Sequence, residues 1–141
     1  MTNTTTINEI QTLIRANYER MVAFEQASFH VTDHTLKNYF EEKAGESEMY
    51  INELNEVLSS LSGEKFDVEA YRQDLLGTTQ LFTGQKNTPT ILKHIQYLEK
   101  AIIKWYKAGM KNLKGISNGI PHILSKHSVG LEASHVYVKS Y

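Results

Sequence analysis

The 141-residue sequence contains no cysteine. That absence excludes disulfides, thiolate metal sites and cysteine nucleophiles together. Proline occurs only twice, so little breaks a long helix. No apolar run approaches the roughly 18 residues needed for a membrane-spanning helix, and no membrane insertion is expected. The opening Met1-Thr2-Asn3-Thr4-Thr5-Thr6 has neither the basic n-region nor the apolar h-region of a signal peptide. The expected location is the cytoplasm. Enzyme motifs are also missing: there is no Gly-x-Ser-x-Gly, no phosphate-binding loop, no Gly-x-Gly-x-x-Gly and no His-Glu-x-x-His. The sequence therefore leans away from catalysis.

What is present is the composition of one globular domain, 40% hydrophobic and 22% charged. The expected domain is 1–141, with residues 1–6 a frayed tail. Thr6 and Glu9 form a Thr-x-x-Glu capping box. Ile7, Ile10, Ile14, Asn17, Met21, Phe24, Ser28 and Val31 then recur at alternating spacings of 3 and 4, one stripe of a helix. Asp33 is placed to cap a second helix, whose stripe is Leu36, Phe40, Ala44, Ser47, Ile51, Leu54, Leu58 and Leu61. Gly63 is a natural stop. Thr88-Pro89 starts a third helix, with Thr88 as the cap. Its stripe runs through Ile91 or Leu92, Ile95, Leu98, Ile102, Tyr106, Gly109 and Leu113. After a turn at 115–119, a fourth stripe follows at Ile120, Leu124, His127, Leu131, Ser134, Val138 and Tyr141.

Four amphipathic helices predict an all-α four-helix bundle. Residues 64–86 form the long connection. A short helix capped by Asp67 is expected there, interrupted by Gly77 and Gly84. A helix of these lengths spans about 40 Å at 1.5 Å per residue. A partly helical crossover of this size can travel the whole bundle and leave helices 2 and 3 parallel, which is the ferritin-like arrangement.

The stretch Phe40-Glu41-Glu42-Lys43-Ala44-Gly45-Glu46-Ser47-Glu48-Met49-Tyr50-Ile51-Asn52-Glu53-Leu54 resembles the second helix of ferritin-like proteins. It is most similar to a bacterial ferritin-like family of unassigned function, of the domain-of-unknown-function type. Asn17-Tyr18-Glu19 with Phe24 and Ala27 resembles that family's first helix, and Leu98-Glu99-Lys100-Ala101 with Tyr106 its third. His135 stands where that family often has a histidine. The resemblance runs from about Ile7 to Tyr141. It implies a ferritin-like bundle and supplies no activity.

Ferritin-like di-metal sites take one Glu from each of two helices and a Glu-x-x-His from each of the other two. This chain has one Glu-x-x-His, Glu132-Ala133-Ser134-His135, together with Glu19, Glu46 and Glu99. At about 100° per residue, Glu132 falls about 140° from its stripe centre, His135 about 80° and Glu46 about 95°. Glu19 falls on nearly the opposite side of its helix. Asn17, Ser47, Tyr50, Leu131 and Ser134 take the inward positions, and of the acids only Glu99 can point in. The expectation is a lost or vestigial di-metal site and no cofactor. A noncanonical iron or manganese site on Glu46, Glu99, Glu132 and His135 is the alternative, reachable if a π-bulge rotates the phase.

Asn17, Glu99 and His127 are polar residues on or near core seams, either a satisfied structural network or a polar pocket. His30, Asp33 and His34 read as capping and surface groups at a turn; His94 and His122 have no partner spacing. Trp105 and Tyr137 lie on helix flanks and are the interface candidates. Lys93, Lys100, Lys104, Lys107, Lys111 and Lys114 form one ridge on helix 3. This is a solvated face or a surface for an anionic partner. No arginine lies in this half and no aromatics interleave the ridge, so nucleic acid is not an expected partner.

The net charge of −1 conceals an asymmetry. Residues 1–86 hold 7 Lys+Arg against 14 Asp+Glu, and residues 87–141 hold 8 Lys against 2 Glu. An acidic hairpin precedes a basic one, which favours docking within the chain and head-to-tail association between copies. The leading expectation is a non-catalytic structural or protein-interaction module that forms a homo-oligomer. The alternatives are the metal-binding protein and an anion-surface binder acting through the lysine ridge.

Overall fold

The computed structural model describes residues 3–71, 87–116 and 119–141. Four long helices dominate: α1 Asn3–His30, α2 His34–Ser62, α3 Thr88–Asn112 and α4 Ile120–Ser140. None is long and apolar enough to cross a membrane.

Local chemistry sets most boundaries. Asp33 caps α2 by accepting the Leu36 amide at 2.8 Å, and Gly63 ends it in the left-handed conformation at φ 79°. Asp67 accepts the Ala70 amide at 3.0 Å and caps a helical turn over residues 68–71. The cap of α3 is Asn87, which accepts the Thr90 amide at 2.9 Å, one residue before the expected Thr88. An Asn side chain outranks Thr at this position.

The first helix corrects the expected tail. It already runs at Asn3, and Thr6 is a buried residue inside it rather than its cap. Tertiary contact overrides the weak helix propensity of the threonines: one turn further on, Glu9 accepts a hydrogen bond from Asn112 of α3 at 2.7 Å. The seam of α3 also differs from expectation. Glu99 is fully buried and Leu98 only half-buried, a small rotation that turns the carboxylate inward. Tyr141, expected on the fourth seam, is exposed. It stands near Asp33, whose carboxyl is held below its usual range mainly by the Leu36 amide and then by the Tyr141 hydroxyl.

Cross-helix pairs fix the directions. Arg20 meets Glu46 and Phe24 meets Phe40, so α1 and α2 are antiparallel. Asn17 meets Tyr106 and Arg20 lies by Glu99, so α1 and α3 are antiparallel. Helices α2 and α3 are therefore parallel, as in the ferritin-like bundle. The connection leaves α2 along the flank of α1. The Phe66 amide bonds Asn55 Oδ1 at 2.9 Å, Arg15 lies over the Phe66 ring, and the Tyr71 hydroxyl donates to Glu19 at 3.0 Å. The rest of the expected crossover, with Gly77 and Gly84, lies outside the described residues, as do Ser117 and Asn118 of the α3–α4 turn.

Candidate functional site

Two polar levels cross the apolar core, and each draws on all four helices. The first centres on Arg20, whose side chain is fully buried. Its Nη1 donates to Ser47 Oγ at 2.9 Å and its Nη2 to Glu46 Oε1 at 3.0 Å. The same Nη2 lies 3.7 Å from Glu99 Oε2, and the guanidinium carbon sits 5.0 Å over the Phe24 ring. Lys43 donates to the other Glu46 oxygen at 3.0 Å. Glu99 Oε2 accepts from Ser134 Oγ at 2.5 Å, and Ser134 accepts from the Tyr39 hydroxyl at 3.0 Å. Two cations thus face two carboxylates. Burial pushes the Glu99 carboxyl above its ordinary value, against the opposing pull of Ser134 and Arg20. Burial likewise raises the Tyr39 phenol to about 12, so it stays a donor.

His135 borders this level. Its Nδ1 is buried without a hydrogen-bond partner and lies 3.9 Å from the equally unpartnered Glu99 Oε1, too far for a hydrogen bond. Burial, Lys139 and Lys100 all lower its basicity, so the imidazole is neutral and the pair is not an ion pair.

The second level is a relay from core to surface. Asn17 Nδ2 donates to the Leu13 carbonyl at 2.9 Å and to the Tyr106 hydroxyl at 2.7 Å. The Tyr106 hydroxyl, already an acceptor from Asn17, lies 2.9 Å from His127 Nδ1, and we assign its own proton to that nitrogen. That assigns the imidazole proton to Nε2, which faces Glu53 Oε1 at 3.4 Å. Burial outweighs the attraction of Glu53 and depresses His127 to about 4, so the ring is neutral at pH 7. Tyr50 stacks on it with centroids 3.8 Å apart. The backbone of Gly130 lies against the Tyr50 hydroxyl, where a Cβ would overlap it.

Asn17, Glu99 and His127 are thus all fully buried but split between the two levels. The alternative ligand set does not assemble. Glu46 and Glu99 converge only by way of Arg20, His135 stands beside Glu99, and Glu132 is exposed on α4. Its phase, far from the stripe, keeps it out. Glu19 is taken by Tyr71. Trp105 is 53% exposed, whereas Tyr137 is half-buried and stacked on Tyr39 at 4.0 Å, a contact within the chain. All six ridge lysines are exposed. Sequence reasoning missed Arg20, Tyr39, Lys43 and Glu53. The available signal was that Arg20 follows Asn17 by three residues and precedes Phe24 by four, which puts it on the inward face.

The family model described as "Domain of unknown function (DUF2383)" matches residues 5–112. The chain belongs to the DUF2383 family. The match spans α1 through α3, and α4, which supplies His127, Ser134 and His135, lies beyond it. No curated protein matches this DUF2383 chain. Its fold is similar to that of a Mycobacterium smegmatis Dps1 mutant, with a TM-score of 0.83 at 10% identity over 98% of this chain and 95% of that one. It is also similar to a tetragonal form of Mycobacterium smegmatis Dps, with a TM-score of 0.81 at 12% identity over 98% and 85%. At such identities the likeness is one of fold.

A ferritin-like di-metal centre does not fit the first level of this DUF2383 domain. The group between Glu46 and Glu99 is a guanidinium, which stays protonated at any physiological pH. It hydrogen-bonds Glu46 and lies 3.7 Å from Glu99, and together with Lys43 it already balances the two carboxylates. Among the described residues, no three His, Asp or Glu side chains are grouped to hold a metal ion.

Proposed function

We propose that this domain is a non-catalytic ferritin-like bundle, a structural or protein-interaction module in which a built-in cation takes the place of a di-metal centre. The observation that carries this reading is Arg20, fully buried and bonded to Glu46 and Ser47 beside Glu99. A bound metal there would add positive charge to a cluster already neutralised by Arg20 and Lys43.

Self-association is part of the same proposal. The lysine ridge on α3 is exposed, as are Glu41, Glu42, Glu48 and Glu56 on α2, and Trp105 stands out beside the ridge. Opposite charges on different faces of one chain favour contact between copies in the cytoplasm. Elemental analysis of protein purified without chelator, with light scattering across a salt series, tests both parts. The expected result is no stoichiometric transition metal and a mass above the monomer that falls as salt rises. Two tightly held transition-metal ions per chain would overturn the reading.

A further inference from the structure

We propose that the groove between α3 and α4 is a binding site for a small organic phosphate, independent of the metal question. The groove has a volume of about 290 Å³ and is lined by Lys93, Gln96, Tyr97 and Lys100 of α3 and by His135 and Lys139 of α4. The spacing explains the convergence. Residues 93, 96, 97 and 100 share one face of α3, and 135 and 139 are one turn apart on α4.

Among the described residues, every lining side chain carries a hydrogen-bond donor, the neutral imidazole through its one N–H, and none is a carboxylate. None of the three lysines forms an ion pair among the described residues. The carboxylate behind His135 is Glu99, buried and matched by Arg20. The groove is therefore a concentration of uncompensated positive charge, and His135 registers it through Lys139 and Lys100.

The organic part has its own wall. Tyr97 is 78% exposed, and with Lys93 it also lines an adjoining, mostly apolar depression of about 360 Å³. Together the two hollows match the few-hundred-Å³ size typical of a small-molecule site. A phosphate monoester fits them best, its dianion between Lys93, Lys100 and Lys139 and its planar or apolar part against the Tyr97 ring. This differs from a general ridge function, because Lys104, Lys107, Lys111 and Lys114 lie outside the groove and Lys139 lies inside it.

The test is an amide chemical-shift titration of the full chain with phenyl phosphate, inorganic phosphate and phenol as probes. Phenyl phosphate is expected to give saturable shifts confined to residues 93–100 and 135–139, weakening as salt rises. Lys100→Glu with Lys139→Glu is expected to weaken it by about tenfold or more. Tyr97→Ala is expected to weaken phenyl phosphate and leave inorganic phosphate unchanged. Lys104→Glu with Lys111→Glu is expected to change neither. Non-saturable shifts, or an equal loss from Lys104→Glu with Lys111→Glu, would mean a solvated lysine face only and would overturn the site. Equal shifts with phenol would mean an apolar hollow without anion recognition and would overturn it too.

Discussion

Replacing Arg20 with Met keeps the aliphatic stem and removes the buried cation. Glu46, only partly buried, keeps Lys43. Glu99, fully buried, is left with Ser134 as its one donor. Breaking a buried pair in this way costs about 3–5 kcal/mol. The variant has one escape, which is to protonate Glu99. From an ordinary carboxyl value of 4.5, that costs about 1.4 kcal/mol per pH unit, or about 3.4 kcal/mol at pH 7 and under 1 kcal/mol at pH 5. The escape caps the loss, so about 3 kcal/mol is expected at pH 7. For a chain of this size that lowers Tm by about 10 °C. The sign follows from linkage. A carboxyl whose folded value is raised lends stability below its unfolded value and loses it as pH rises through the folded value. Without Arg20 the Glu99 value rises further, so the deficit is largest at pH 7–8 and shrinks towards pH 5. Urea unfolding of both proteins at pH 5, 6, 7 and 8 measures the difference directly, and Arg20→Met with Glu99→Gln should recover most of the loss at pH 7. A deficit independent of pH, or a double variant no more stable than the single one, would refute the account.

The second level gives two further expectations. Tyr106→Phe strands one proton of the Asn17 amide and His127 Nδ1 together, and should cost about 1–3 kcal/mol in urea unfolding. No change would mean that the relay adds nothing to stability. His127 is depressed from 6.5 to about 4, so between those values the unfolded chain binds more protons than the folded one. Its stabilisation, complete above 6.5, should be lost as pH falls through about 4. His127→Phe should flatten that part of the stability profile, and an unchanged slope would assign the acid sensitivity elsewhere.

Periodicity made the four helices and their faces legible. Asn17, Ser47, Tyr50, Leu131 and Ser134 all sit in the core, as their phases require. The caps at Asp33 and Gly63 follow from side-chain chemistry that acts within one turn. Arg20 was not legible because a stripe one residue wide, drawn through Met21, leaves its neighbour outside. A buried helix face is broader than that and includes flanking positions. Glu99 was legible as the one acid able to point in, but its counter-charge Arg20 was not. Likewise, the first turns of α1 meet the rest of the fold through buried Thr6 and the bond from Asn112 to Glu9, contacts that local patterns do not encode.

The two levels also bear on why one bundle geometry wins. Glu99 and Tyr106 are seven residues apart on α3, and Ser134 and His127 are seven apart on α4, so the levels are separated by about 10 Å. On α1 their residues, Asn17 and Arg20, are only three apart, about 4.5 Å, and the length of the arginine side chain spans the remainder. Apolar seams repeat every three or four residues and tolerate a slip of one heptad with little change in buried area. A slip of α3 by seven residues would bring Tyr106 to the level of Arg20 and carry Glu99 away from its counter-charge Arg20 and its donor Ser134. That leaves a buried guanidinium short of its counter-charge and a carboxylate unpaired, each worth several kcal/mol. The ion cluster therefore need not add to net stability against a greasy core to decide the register. Here a positive charge carried by the chain itself penalises every alignment of the four helices in which the carboxylates do not meet it.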